Sequence, residues 1–268
     1  MTVIVSVKIN DGIVLASDSA ATFGTGQIYH HAEKIVNLVK GLPIGAMVTG
    51  AGGIGSESIT TILKDLRKRL SGSDTNFKEW TLNREHYSMH EVASRVAEIL
   101  QEKSTPEVSM QLRIAGYGSG RPLPELWDLV IREGQFHDLF CVRDEQGWGV
   151  NWDGDYEALN RLILGFPVDF GQVVKNLGVP DERTADVQKV AGELYNHMAL
   201  PSMPIHDAID LARYLVETTI GFMRFSVFRQ PKTVGGPIEI AAITKHEGFR
   251  WIQRKHFYKR ELNLSDPD

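Results

Sequence analysis

Thr2-Val3-Ile4-Val5-Ser6-Val7-Lys8-Ile9-Asn10-Asp11-Gly12-Ile13-Val14-Leu15-Ala16-Ser17-Asp18 is the stretch that decides the fold. Residues 2–9 are rich in β-branched side chains and alternate, residues 10–12 supply turn formers, and residues 13–17 resume the pattern, which predicts a β-hairpin at the amino terminus. The chain therefore begins inside a sheet. Outward from it, residues 34–39 and 44–49 read as two more strands around the turn Gly41-Leu42-Pro43, so antiparallel pairing precedes any helix. Residues 56–70 carry Ile59, Ile62, Leu63, Leu66 and Leu70 at helical spacing, and residues 89–101 repeat it with Val92, Val96, Ile99 and Leu100. The polar and aromatic residues 71–88 between them read as an ordered connection without a functional role.

The second half repeats the order. Residues 110–117, 127–132, 135–143 and 147–152 form a predicted meander of strands, followed by helical patterns over 155–163, 169–176, 187–198 and 206–227. The last of these carries Leu211, Leu215, Phe222 and Phe225. Thr233-Val234-Gly235-Gly236-Pro237 interrupts the chain before closing strands over 238–244 and 249–253. Segregated runs of strands and helices predict an α+β layered fold, and with neither an internal repeat nor a low-complexity linker the expectation is one domain spanning 1–268.

Composition narrows the function. A formal net charge of −5 and a pI near 6.0 offer no electrostatic case for nucleic acid or an anionic membrane. The basic run Lys64, Arg67, Lys68, Arg69 has the spacing of a solvated helix face. Cys141 is the sole cysteine, which excludes an internal disulfide and a cysteine metal cluster. Nothing approaches the length of a bilayer-spanning segment, and the start lacks a secretory pattern, so a cytoplasmic protein is expected. His30-His31 lack the spacing and companions of metal ligands and read as a surface loop pair. Cys141 reads as a buried core thiol, and Trp127, Trp148, Trp152 and Trp251 as packing or subunit-contact residues.

Thr2 follows the initiator methionine. Removal of Met1 would put a hydroxyl and a free α-amine, with an ordinary pKa of about 7.7–8.0, on one residue, so that the amine can act as base for its own Oγ. Asp18 and Lys34 are the candidate supporting pair. A Lys34 ammonium disfavours protonation of the amine and favours loss of the hydroxyl proton, while the carboxylate keeps that lysine charged. Val48-Thr49-Gly50-Ala51-Gly52-Gly53-Ile54-Gly55 formally satisfies a dinucleotide-binding fingerprint. That reading requires a parallel strand ending in an acidic residue after the helix, and residues 71–76 do not provide one. The glycines suit instead a backbone N–H offered to a developing oxyanion.

Four segments together resemble the first fifty residues of proteasome β-type subunits, including HslV and, most closely, the bacterial ancestral-β group called Anbu. They are Thr2-Val-Ile-Val-Ser-Val-Lys, Gly12-Ile-Val-Leu-Ala-Ser-Asp18-Ser, Lys34-Ile-Val and Gly45-Ala-Met-Val-Thr-Gly50. The resemblance is firm over about the first seventy residues. It implies the four-layer αββα sandwich of N-terminal nucleophile hydrolases, two antiparallel sheets flanked by helices. Thr2 would be the nucleophile, Asp18 and Lys34 its support, and Gly50 N–H the oxyanion donor. Ala21, Thr22, Val48 and Gly52 would line a channel in which a peptide pairs as an added strand. It further implies a homo-oligomer, ring or stacked spiral, acting on peptide or unfolded protein, an unfoldase ATPase as partner, and no metal or organic cofactor. The family's supporting serine and its Asp-x-x-Ser pair map onto Leu164-Gly165-Phe166 and Pro231-Lys232-Thr233-Val234, where those side chains are missing and Thr233 is the nearest substitute. A catalytically silent assembly subunit and a small-molecule amidase are the competing expectations.

Overall fold

The computed structural model describes residues 2–22, 26–193, 195–227 and 233–256; Met1, Pro231 and Lys232 lie outside them. The first hairpin forms as expected. Strands β1 (Val3–Ile9) and β2 (Gly12–Ser17) pair antiparallel, with Ile9 opposite Gly12 across the Asn10-Asp11 turn. A two-residue pair, β3 (Ala21–Thr22) with β4 (Ile28–Tyr29), precedes β5 (Ile35–Asn37) and β6 (Ile44–Gly50). A second small hairpin, β7 (Gly53–Ile54) with β8 (Glu57–Ser58), then leads into α1 (Ile59–Leu70). The connection to α2 (Met89–Lys103) contains a 3-10 segment over Thr75–Trp80. The meander follows as β9 (Met110–Gly116), β10 (Glu125–Arg132), β11 (Gln135–Arg143) and β12 (Gly149–Gly154). Then come α3 (Glu157–Leu159), which runs into a π segment, α4 (Phe170–Asn176), α5 (Asp181–Gly192), α6 (Ile205–Phe225), β13 (Glu239–Thr244) and β14 (Gly248–Gln253).

One sheet has the order β12-β1-β2-β13-β14 and the other β11-β10-β9-β6-β5, with antiparallel pairing throughout. Since β6 pairs antiparallel with β9, the βαβ unit that a dinucleotide site needs is absent there. Every residue of β1 is buried, so its alternation divides side chains between two apolar environments rather than between core and solvent. Val3, Val5, Val7 and Ile9 pack with α6, while Ile4 joins Ile13, Leu15, Met47, Ala115 and Leu126 from both sheets. A third cluster unites α1 and α2 with β6, β9 and β10. Both helices have serine N-caps, Ser58 accepting from Thr61 N–H and Ser88 from Glu91 N–H. No helix among the described residues is long and apolar enough to cross a membrane.

Three expectations are corrected. The predicted helix over 187–198 ends at Gly192, and its start is already at Asp181. In α6 the buried face is Ala208, Ile209, Ala212, Leu215, Val216, Thr219 and Met223, and Phe225 is exposed; the alanines allow a close approach to β1. Cys141 is exposed, because β11 is the edge strand of its sheet.

The sheets are also joined by charge. Arg113 on β9, fully buried, donates from Nε and Nη2 to both oxygens of Asp128 on β10 (2.8 and 2.7 Å), and Nη2 also bonds Asp153 on β12 of the other sheet. Gln111 donates to the same two carboxylates at 2.8 and 3.1 Å. Burial raises the Asp153 carboxyl above the ordinary range, with Arg113 opposing. Replacing Arg113 by Met strands a buried Asp128 charge, so we expect a loss of about 3–5 kcal/mol of stability in urea denaturation; a change below about 1 kcal/mol would show that the network contributes little.

Candidate active site

Asp18 begins where β2 ends, and its fully buried carboxylate collects four donors. Oδ1 accepts from Val3 N–H at 3.0 Å and from Lys34 Nζ at 2.7 Å. Oδ2 accepts from Ala20 N–H at 3.1 Å and Gly235 N–H at 3.0 Å. An ionised carboxylate offers about four lone-pair sites, so this one is fully engaged. Lys34 is itself buried and donates a second bond to the Ala20 carbonyl at 2.6 Å. Burial pulls its pKa below the ordinary 10.5, opposed by the charge and hydrogen bond of Asp18.

Thr2 lies on the same carbonyl. Its Oγ1 points to Ala20 O at 3.5 Å, and Asp155 N–H donates to its backbone carbonyl at 2.6 Å. Thr2 shares the face of Ile4, toward the space between the sheets. Against it stands Gly154, with φ of +89°; a Cβ there would fall 1.9 Å from Thr2 O and 3.2 Å from Thr49 Oγ1. Only glycine fits so close an approach. Thr49 thus brings the end of β6 beside Thr2, and the next residue, Gly50, is exposed with φ of +94° and with Ser109 O where a Cβ would stand.

The remaining candidates are dispersed around this centre. Val48 packs on the helix side of its sheet, in the cluster with α1 and α2. Ala21 and Thr22 are half-buried on β3. Gly52 is exposed, and its carbonyl accepts from Ile59 N–H at the start of α1. Of Leu164-Gly165-Phe166, Gly165 ends the π segment in open space, Leu164 packs against the α6 core, and Phe166 lies against Phe170. The residues that stand beside Thr2 are Gly154 and Asp155, because the end of β12 pairs with the start of β1. Thr233 is buried, and its hydroxyl has no hydrogen-bond partner among the described residues; Pro231 and Lys232 lie outside them. The Ala20 carbonyl, Thr49, Gly154, Asp155 and Gly235 N–H escaped sequence reading. The one available signal was a glycine between two acids at a strand end, and no side-chain chemistry marks the backbone groups.

Solved structures of Anbu proteins have a similar fold. Anbu (ancestral beta-subunit) from Yersinia bercovieri aligns over 96% of this chain and 89% of its own, with 16% identity and a TM-score of 0.54. Anbu from Hyphomicrobium sp. strain MC1 aligns over 98% and 91%, with 15% identity and a TM-score of 0.56, and its Gly-1 mutant gives 99%, 92%, 16% and 0.55. No protein-family model matches the chain, and a search of curated proteins finds no match.

Asp18 and Lys34 differ in what their loss exposes. Asp18→Ala strands a buried ammonium and three N–H donors, each unsatisfied amide costing about 1–3 kcal/mol, whereas Lys34→Met leaves the carboxylate its three backbone donors. Chemical denaturation should therefore rank Asp18→Ala as the more destabilised by at least ~2 kcal/mol. Equal losses would mean the backbone donors do not depend on Asp18.

Proposed function

We propose that this chain is a proteasome-like N-terminal nucleophile hydrolase, a single αββα sandwich domain over 1–268 that cleaves peptide amide bonds through Thr2 after Met1 is removed. The observation that carries the reading is the convergence of Thr2 Oγ and Lys34 Nζ on one carbonyl oxygen beside the buried Asp18. The fold similarity to Anbu structures supports it over most of the chain.

Chemistry follows from these groups. The freed α-amine of Thr2 takes the proton from Oγ, directly or through one water, and Oγ attacks the substrate carbonyl carbon. Gly50 N–H at the end of β6 donates to the resulting oxyanion. Collapse breaks the C–N bond, the protonated amine passes its proton to the leaving nitrogen, and an ester on Thr2 remains. Water, deprotonated by the same amine, attacks the ester and releases the acid. The Lys34 ammonium lowers the proton affinity of both amine and hydroxyl. Asp18 acts by keeping Lys34 charged and oriented. Ala21, Thr22 and Gly52 are assigned to substrate, whereas the Val48 side chain, packed with α1 and α2, leaves only its backbone for that role, and no metal or organic cofactor enters any step. The setting is a cytoplasmic homo-oligomer, ring or stacked spiral, that encloses the site and accepts unfolded chains from an ATPase. A silent assembly subunit is the second reading, favoured by Gly154 and Asp155 standing beside Thr2 where a serine hydroxyl would support catalysis.

Intact mass and labelling by a threonine-directed electrophile test the proposal: the protein should lose Met1 and gain one adduct, and Thr2→Ala should gain none. Free Thr2 without an adduct selects the silent reading. The labelling rate should rise with pH as the amine deprotonates, then fall as Lys34 loses its proton, on a limb lying below the ordinary lysine pKa because burial lowers it. A rate still climbing at pH values above about 10.5 would remove Lys34 from the mechanism.

A further inference from the structure

A further buried ion pair lies against the segment that follows Asp18. Lys255, just beyond β14, places Nζ 2.8 Å from Glu239 Oε2 on β13, with side chains 12% and 1% exposed. The same ammonium donates to Ser19 Oγ and to the Ala32 carbonyl, both at 2.8 Å. It thus makes two hydrogen bonds and one ion pair, reaching three separate segments. Ser19 is the neighbour of Asp18, and Ala32 stands two residues before Lys34. Ser19 is further tied to the late glycines: its N–H donates to Gly235 O at 2.9 Å and its hydroxyl to Pro237 O at 2.5 Å. Ala32 N–H donates back to Ser19 O at 3.0 Å.

We propose that Lys255 is a positioning residue for the Thr2 chemistry, clamping together the two segments that deliver Asp18 and Lys34, with Glu239 as the counter-ion that keeps it charged in the interior. The inference rests on the Thr2 reading but concerns groups which that reading does not use. Asp18 and Lys34 need such a clamp. Residues 17 and 35, where β2 ends and β5 begins, are joined by a segment whose regular pairing among the described residues is the two-residue hairpin β3–β4, too little ladder to set a 2.7 Å contact. An ammonium bonded to both segments reinforces the Ala32 N–H to Ser19 O bond that already joins them. Lysine suits the place because its compact ammonium can donate in divergent directions to Ser19 and Ala32 while keeping its charge beside Glu239, whereas a guanidinium is a planar fork.

The test uses the full chain with Lys255→Met and, because the single change strands a buried Glu239, the double variant Lys255→Met/Glu239→Gln. Amide hydrogen exchange at Ala20, Ala32 and Gly235 should accelerate at least roughly tenfold in both, with Ala46 and Leu112 in the other sheet unchanged. In electrophile labelling of Thr2, the maximal rate should fall roughly 10- to 100-fold with the half-saturating concentration unchanged, a split that general loosening would not produce. Unchanged exchange at the three amides in the folded double variant overturns the clamp, whether or not the chain reacts. An undiminished maximal rate overturns the positioning role. A wild-type chain that never labels retires the Thr2 reading and the positioning role with it, and the exchange comparison still decides the clamp.

Discussion

A buried carboxylate has to be neutralised and hydrogen-bonded where it stands, and Asp18 imposes that requirement on four parts of the chain at once. Val3 N–H begins β1, Ala20 N–H turns the chain away from β2, Gly235 N–H comes from the late glycine turn, and Lys34 leads into β5. Hydrogen bonds to a charged group are worth about 1.5–3 kcal/mol each, and several are needed to offset the removal of the charge from water. The arrangement is therefore close to all-or-none. It also determines where the amino terminus lies, because Val3 is held to Asp18 and Thr2 must sit beside the Ala20 carbonyl.

The space between the sheets has two characters. Its middle is filled by Ile4, Ile13, Leu15, Met47, Ala115, Leu126, Ala241 and Ile243, contacts that are strong in sum and indifferent to small sliding. The margins are polar. Arg113 spans from β9 to Asp153 on β12, and Lys255 and Glu239 do comparable work at the Asp18 loop. At the opposite end of β1, the buried Lys8 donates to the carbonyls of Glu145 and Gly147. Directional contacts add what the apolar ones lack, a defined offset of one sheet against the other. Since Asp153 precedes Gly154, that offset governs how Gly154 and Asp155 meet Thr2.

Reading the residues in order served well where structure is local. The hairpin through Asn10-Asp11, the strands about Gly41-Leu42-Pro43, and the helices ending at Leu70 and starting at Met89 follow from periodicity and turn formers, which act over a few residues. It failed where distant neighbours decide. Phe225 satisfied the helical period yet faces outward, because α6 is apolar on more than one side and β1 selects the face with small residues. Cys141 lies in an apolar strand yet is exposed, since its strand is at an edge. The helix placed over 187–198 begins and ends earlier than its apolar pattern suggested.

The candidate site divides along the same line. The sequence by itself determined the identities and spacing of Thr2, Asp18 and Lys34 and the antiparallel strands that carry them, because these depend on short-range pattern and on the chemistry of side chains. Only the tertiary structure decided what surrounds them. The Ala20 carbonyl, the Gly235 amide, the approach of Gly154 and the reach of Lys255 come from backbone atoms and remote residues, whose proximity arises when two sheets pack and so leaves no periodic trace along the chain.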